Sequence, residues 1–307
     1  MKTWFILFIA ILLMRFSGQG MMSHTASTTI SRYFINTRGK ALSTGWFGLS
    51  TAEFLMPVTI IYALTIMDWR NIWIIISVAI ILFLPMVSYF LVKEVKLSSR
   101  ENDTEVAKEN IKQWKRSEVI KDYRFIIIAL NMLAMPWIAT GIFVYQSFIL
   151  SAKNWGEYTI AQSFMVYSIA SVLTLFVAGY LIDKFTSRKL LIYMNIPFLI
   201  SLLILIYFQS PVSSFFFLGL IGVSNGFANV LGSSTWAELY GVKFIGSIKA
   251  LTTALMVFST AFGTALFGLM IDFDFSIEQI SMISGGYILI SLILLFLIKN
   301  KLNPTIL

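Results

Sequence analysis

The sequence predicts an all-α membrane protein with nine transmembrane helices, and three observations carry that prediction. Apolar residues make up 58% of the chain and charged residues only 12%, whereas about a quarter of the residues of a soluble domain are charged. The apolar residues fall in continuous runs of about 20 residues or more, enough for a helix to cross a hydrocarbon core of about 30 Å, and they lack the alternation of a barrel strand. The charges lie almost wholly in the gaps between the runs.

The first run, Trp4 to Tyr33, contains Arg15 and the small, polar stretch Ser17-Gly-Gln-Gly20. Its pattern continues well past the length of a signal peptide and no small-x-small cleavage site follows, so it reads as a tilted spanning helix. Further spans are expected from Ala41 to Met67, Ile72 to Val92, Phe125 to Leu150, Tyr158 to Ile182, Leu190 to Phe208, Ser213 to Leu239, Ala250 to Ile271 and Ile280 to Ile298. Between the third and fourth spans, Lys93 to Asp122 is the long hydrophilic segment, mixing acidic and basic residues with little that could form a core. It reads as a solvated, partly helical linker. The expected organisation is therefore a three-helix part (1–92), a linker (93–122) and a six-helix part (123–307).

Counting Lys and Arg in alternate gaps orients the chain, with 19 of the 23 basic residues falling on the side that includes the linker and the Lys184, Arg188, Lys189 turn. By the positive-inside rule that side is cytoplasmic, with the C-terminus inside and the N-terminus outside. The expected location is a cell (inner) membrane. The formal net charge of +8 sets orientation and does not mark a nucleic-acid partner, because no basic face is clustered on a soluble fold. With no cysteine and a single histidine, His24, neither a disulfide frame nor a metal cluster can be built from those residues. No nucleotide-binding loop motif and no carboxylate pair in a soluble setting is present, so neither an enzyme nor a cofactor is expected.

Comparing the two sides of the linker reveals an internal repeat. The stretch from Gly20 to Arg32 aligns with Gly226 to Glu238 at an offset of 206, matching Ser27 with Ser233 and Thr29 with Thr235. Lys40-Ala-Leu-Ser-Thr44 matches Lys249-Ala-Leu-Thr-Thr253 at an offset of 209. The equivalent helices run in the same direction, so the repeat is parallel.

The sharpest motif is Gly179-Tyr-Leu-Ile-Asp-Lys-Phe-Thr-Ser-Arg-Lys189, a short cationic hairpin between two spans. Gly179 allows two helix ends to approach closely, Asp183 sits at the membrane boundary, and Lys184, Arg188 and Lys189 hold the turn against anionic headgroups. The spacing Gly-x-Leu-x-Asp-Lys-x-x-x-Arg-Lys resembles the loop signature of the major facilitator superfamily, with Thr186 standing where that pattern usually has a second glycine. A parallel repeat is also what relates the two six-helix halves of such a transporter. The resemblance implies that the chain corresponds to helices four to twelve of a twelve-helix fold, with about 80 to 90 residues expected upstream of a full first half. Arg15-Phe-Ser-Gly-Gln-Gly20 looks like the fourth-helix signature at shortened spacing. The Trp236-Ala-Glu-Leu-Tyr-Gly241 end and the Arg38-Gly-Lys-Ala41 turn look like those of carriers related to monocarboxylate transporters and oxalate-formate antiporters.

Two charges stand out within spans. Arg15 lies 11 residues from the outer end of its span and Glu53 lies 12 residues from the inner end of the next, about 16 and 18 Å deep at helical rise. Their repeat equivalents are Ile221 and Phe262, so the fold itself does not require charge there. The pair is either a structural salt bridge or a site in which Arg15 holds a substrate carboxylate and Glu53 serves as counter-ion or proton carrier. The resemblance makes the first, fourth and seventh spans cavity-lining, so Gln19 and His24, Tyr145 and Gln146, and Asn225 and Asn229 join the candidates. Each could equally hydrogen-bond between helices. Gly222 and Gly226 read as close helix packing. Gly179, Asp183 and Arg188 are the expected conformational latch.

The function this implies is secondary active transport of small organic molecules, with carboxylate anions as substrate, protons as the candidate coupling ion and the bilayer as the other partner. The alternatives are an incomplete, non-transporting membrane protein and an efflux carrier of the same superfamily.

Overall fold

The computed structural model describes residues 2–34, 37–87, 89–90 and 112–304. Most of the expected linker therefore lies outside the described residues. Helices dominate, and among the described residues there is no strand. Among the described residues, eight helices are long and apolar enough to cross a bilayer. The remaining expected span, 41–67, is a continuous 29-residue helix, Arg38–Ile66, whose length of about 43 Å also suffices.

The chain forms two compact units, residues 1–47 with 111–307, and residues 48–110. In the larger unit, α1 (Lys2–Met14) passes through a π-helical segment, Arg15–Met22, into α2 (Ser23–Tyr33). The helix α3 is Arg38–Ile66, and its residues beyond Phe47 belong to the smaller unit. That unit also contains α4 (Trp69–Val87), where the Arg70 guanidinium lies 4.6 Å over the Trp69 ring at the helix start.

At the end of the expected linker, α5 (Arg116–Val119) leads to α6 (Tyr123–Ala134), whose N-cap Asp122 accepts the Arg124 N–H. A second π-helical segment, Met135–Ala139, follows. It contains Pro136, which lacks the N–H that a regular turn would need. The span continues through α7 (Thr140–Val144), breaks at Tyr145 and resumes as α8 (Gln146–Lys153). Then come α9 (Glu157–Phe185), α10 (Ser187–Met194), α11 (Ile196–Tyr207), α12 (Ser213–Tyr240), α13 (Ile245–Asp272) and α14 (Ile277–Ile298). Ser276 caps α14 reciprocally with Gln279, satisfying two N–H groups that the helix start leaves without partners.

The helices after the linker pack around Trp137, Ile138, Phe198, Phe217, Phe267 and Ile288, while many of their large apolar side chains point outward, as lipid-facing positions must. The helices α9 and α12 approach each other closely. A Cβ at Gly222 would strike the Tyr167 carbonyl, and one at Gly226 would meet the Ser171 carbonyl at 2.6 Å. Small residues thus let the two backbones touch, the arrangement their spacing implied. The start of α3 joins a second cluster, in which Leu42 packs with Leu175, Ala178, Ile182 and Met194.

Candidate functional site

In the larger unit the end of α9 meets the start of α3, the end of α12 meets the start of α10, and α2 meets the start of α13. The first turn of α3 presents N–H groups with no partner inside their own helix and the positive end of its dipole. Asp183, in the last turn of α9, meets both. Its Oδ1 accepts the Gly39 N–H at 2.7 Å and its Oδ2 accepts the Lys40 N–H at 3.1 Å. The approach depends on two glycines. A Cβ on Gly39 would overlap the Gly179 carbonyl, and one on Gly179 would lie 2.6 Å from Ser43 Oγ and 2.8 Å from the Gly39 carbonyl. Gly179 is one turn before Asp183 on the same face, so close backbone contact and carboxylate capping are one device.

A second acid repeats that chemistry. Glu238, near the end of α12, accepts the Ser187 N–H on both oxygens at 2.9 and 3.0 Å and the Ser234 hydroxyl at 3.2 Å. Ser187 is the first residue of α10, so Glu238 does for α10 what Asp183 does for α3. Sequence reasoning singled out Asp183 and gave Glu238 no role. The available signal was an acid in the last turn of a span facing a serine-led helix start.

The turn between these contacts has an unusual backbone. Thr186, between α9 and α10, has φ 75° and ψ 147°, a conformation that a β-branched residue adopts at a cost and glycine adopts freely. The departure of this chain from the loop pattern therefore falls where the backbone asks for glycine. Arg188, the other expected latch residue, turns from Asp183 to the C-terminal tail, donating to the Leu302 carbonyl at 3.1 Å and Asn303 Oδ1 at 2.9 Å.

The remaining candidates separate by depth. His24 Nε2 lies 3.0 Å from the Gly246 carbonyl, which places it against the first turn of α13, close to the capped end. Asn225 donates to Ser171 Oγ at 3.0 Å, joining α12 to α9. Asn229, one turn further along α12, is half-buried. Tyr145 sits at the break between α7 and α8 with its hydroxyl against Gly268 of α13, and Gln146 begins α8 half-buried. Arg15 and Gln19 belong to the π-helical segment of the first span, a distortion that recurs at functional positions. Their side chains, and that of Glu53, lie outside what the structure describes. The structure thus brings Gly179, Asp183 and the start of α3 together and shows Asn225 engaged between helices.

Among the described residues no group of three or more His, Asp or Glu could hold a metal ion. Three basic residues that sequence reasoning assigned to the gaps prove to be buried. Arg38 is the first residue of α3 and is 5% exposed, Lys153 ends α8 and is 2% exposed with its Nζ 2.7 Å from Glu278 Oε1, and Lys249 lies in the second turn of α13 and is 3% exposed. The helix α13 begins at Ile245, earlier than the expected Ala250, and this draws Lys249 into the interior.

Long apolar helices packed through small residues, with acids capping helix starts at one end, define a polytopic α-helical membrane protein of the secondary-transporter type. A sequence model described as Major Facilitator Superfamily matches residues 1–263 and residues 126–306, and the chain belongs to that superfamily of secondary transporters. No curated protein matches it.

Proposed function

We infer that the chain moves small organic anions, with a carboxylate as the recognised group and protons as the coupling ion, by alternating access across a cell membrane. The reading rests above all on the contact of Asp183 with Gly39 and Lys40. A carboxylate reaching across to another helix's N-terminus closes the end that carries the basic residues, and an alternating-access cycle must break and remake that closure. The Lys and Arg bias supports a cytoplasmic assignment for that end and for the C-terminus.

Arg15 and Glu53 support the substrate and coupling assignments, because the sequence sets opposite charges at similar expected depths in consecutive spans. A guanidinium offers a carboxylate two parallel hydrogen bonds, whereas an ammonium is a compact and more strongly hydrated charge. Uptake into proteoliposomes tests both. Arg15→Lys should reduce carboxylate uptake about ten- to hundredfold, as expected from losing one charge-assisted hydrogen bond. Glu53→Gln should leave substrate binding within about twofold of wild type while abolishing the response to a proton gradient. If both variants only lower the amount of folded protein, and apolar replacement of both restores it with transport intact, the pair is structural.

A further inference from the structure

Residues 112–115, near the end of the expected linker, run without helix across the turn that joins α12 to α13. The Trp114 N–H donates to the Tyr240 carbonyl at 3.0 Å. Gln113 Oε1 accepts the Lys243 N–H at 3.0 Å, so the segment is bonded on both sides of Gly241 and Val242. Gly241 has φ 79°, and a Cβ there would overlap the Gln113 carboxamide. The turn is thus shaped to receive the segment. The indole stands edge-on to the Tyr240 ring with centroids 5.5 Å apart. Tyr240 in turn stacks on Trp236 at 6.2 Å, and Trp236 leans on Phe125 of α6 at 5.1 Å. With the Tyr240 hydroxyl donating to Asp122 Oδ2 at 3.1 Å, an aromatic column ties the linker to the end of α12.

The same turn faces the first part of the chain. Four residues separate Tyr240 from Ile245, and Gly246, next in α13, meets α2. His24 Nε2 lies 3.0 Å from its carbonyl, and the Thr28 methyl would lie 3.7 Å from a Cβ placed on it. Two residues before Tyr240, Glu238 caps the start of α10 beside the Asp183 contact. A segment seated on Tyr240 and Lys243 therefore fixes how α13 leaves α12 and how it meets α2. The fastening is incomplete. The Trp114 Nε1–H is buried with no hydrogen-bond partner among the described residues, so its desolvation is uncompensated. Lys112 covers the ring with its Nζ 4.1 Å from the centroid, held by Glu118 at 2.9 Å in a partly exposed ion pair, and such pairs are weak in water. Release returns the indole N–H to water, which brings seated and released states close in free energy.

We propose that residues 112–115 are a releasable strap through which the linker controls the closing of this end. Seated, the strap holds the α12–α13 turn against α2, and released, it frees that turn. The linker is thereby a control element of the transport cycle as well as a tether. This rests on the reading that the end opens and closes.

The test is the distribution of spin-label distances in the purified chain in nanodiscs, the protein having no native cysteine. Cysteines replace the exposed Thr29 and Ser247 across the α2–α13 contact, or the exposed Lys115 and Lys243 across the strap. Each pair should show a short and a long population. Trp114→Ala should raise the long-to-short ratio of both pairs about tenfold through loss of the ring contact, and Trp114→Phe, which keeps a ring and the backbone bond, should stay within about threefold of wild type. Where Trp114→Ala fails to fold, Gln113→Ala, which removes the acceptor of the Lys243 N–H, should shift both pairs about fivefold in the same direction. A Thr29–Ser247 distribution that these variants leave unaltered overturns the proposal, as does a shift of that pair while Lys115–Lys243 stays unaltered. A label pair at Lys40 and Lys184 then separates the causes: two populations there leave alternating closure standing without the strap, and a single population removes both.

Discussion

Thr186 and Asp183 are three residues apart and carry opposite lessons about how far a single side chain can be understood before the fold is known. At Thr186 the backbone adopts φ 75° and the hydroxyl is buried without a hydrogen-bond partner. Thr186→Gly should therefore raise stability by about 1 kcal/mol, a gain from relieved strain that outweighs the added freedom of the unfolded chain. Thermal unfolding of the purified protein measures it, and a lower melting temperature would show that the hydroxyl matters more than the φ angle. Asp183 was legible as a boundary acid with a cross-helix role, because an acid there is dispensable unless something reaches it. Its partners were not, since the donors are backbone N–H groups, which have no signature in the sequence. Lys249 and Arg38 were misread for a related reason. A cation beside a gap looks headgroup-facing unless the helix start is known to within a turn, and α13 begins at Ile245 rather than Ala250.

At the scale of elements, long apolar runs fixed the spans to within a few residues, because in a bilayer every backbone group must be satisfied within its own helix. The interruptions inside them were less visible. The π-helical segment Met135–Ala139, the break at Tyr145 and the break at Asn195 all lie within runs that are continuously apolar, and only Pro136 and Pro197 hint at two of them. Asn195 shows what one break accomplishes, its side chain donating to the Asn131 carbonyl at 2.6 Å across to α6. The contact of α3 with α9 is the element-level feature on which the capped end depends. Gly179→Ala should push these helices apart, because the added methyl meets Ser43 Oγ and the Gly39 carbonyl, at a cost of about 1–3 kcal/mol to the closed arrangement. Since the protein has no cysteine, a single cysteine at Lys40 can report this. Its labelling rate should rise in Gly179→Ala, and an unchanged rate would mean that the helix ends tolerate the methyl.

For the molecule as a whole, the fold class and the superfamily were readable from the distribution of charge, the internal repeat and one loop motif. The substrate assignment still rests on two residues, Arg15 and Glu53. Asp183 supplies the most direct test of the mechanism. Its bonds to Gly39 and Lys40 place a carboxylate at a helix N-terminus, an interaction of about 1–2 kcal/mol that shifts a two-state population about five- to thirtyfold. Asp183→Asn keeps the size of the side chain and removes the charge, so in proteoliposomes it should change turnover more than apparent affinity. The decisive measurement is the distribution of distances between spin labels at cysteines replacing the exposed Lys40 and Lys184, with and without Asp183→Asn. Alternating closure of this end predicts a short and a long population, with the variant enriched in the long one. A single short distance that Asp183→Asn leaves unaltered would contradict the account.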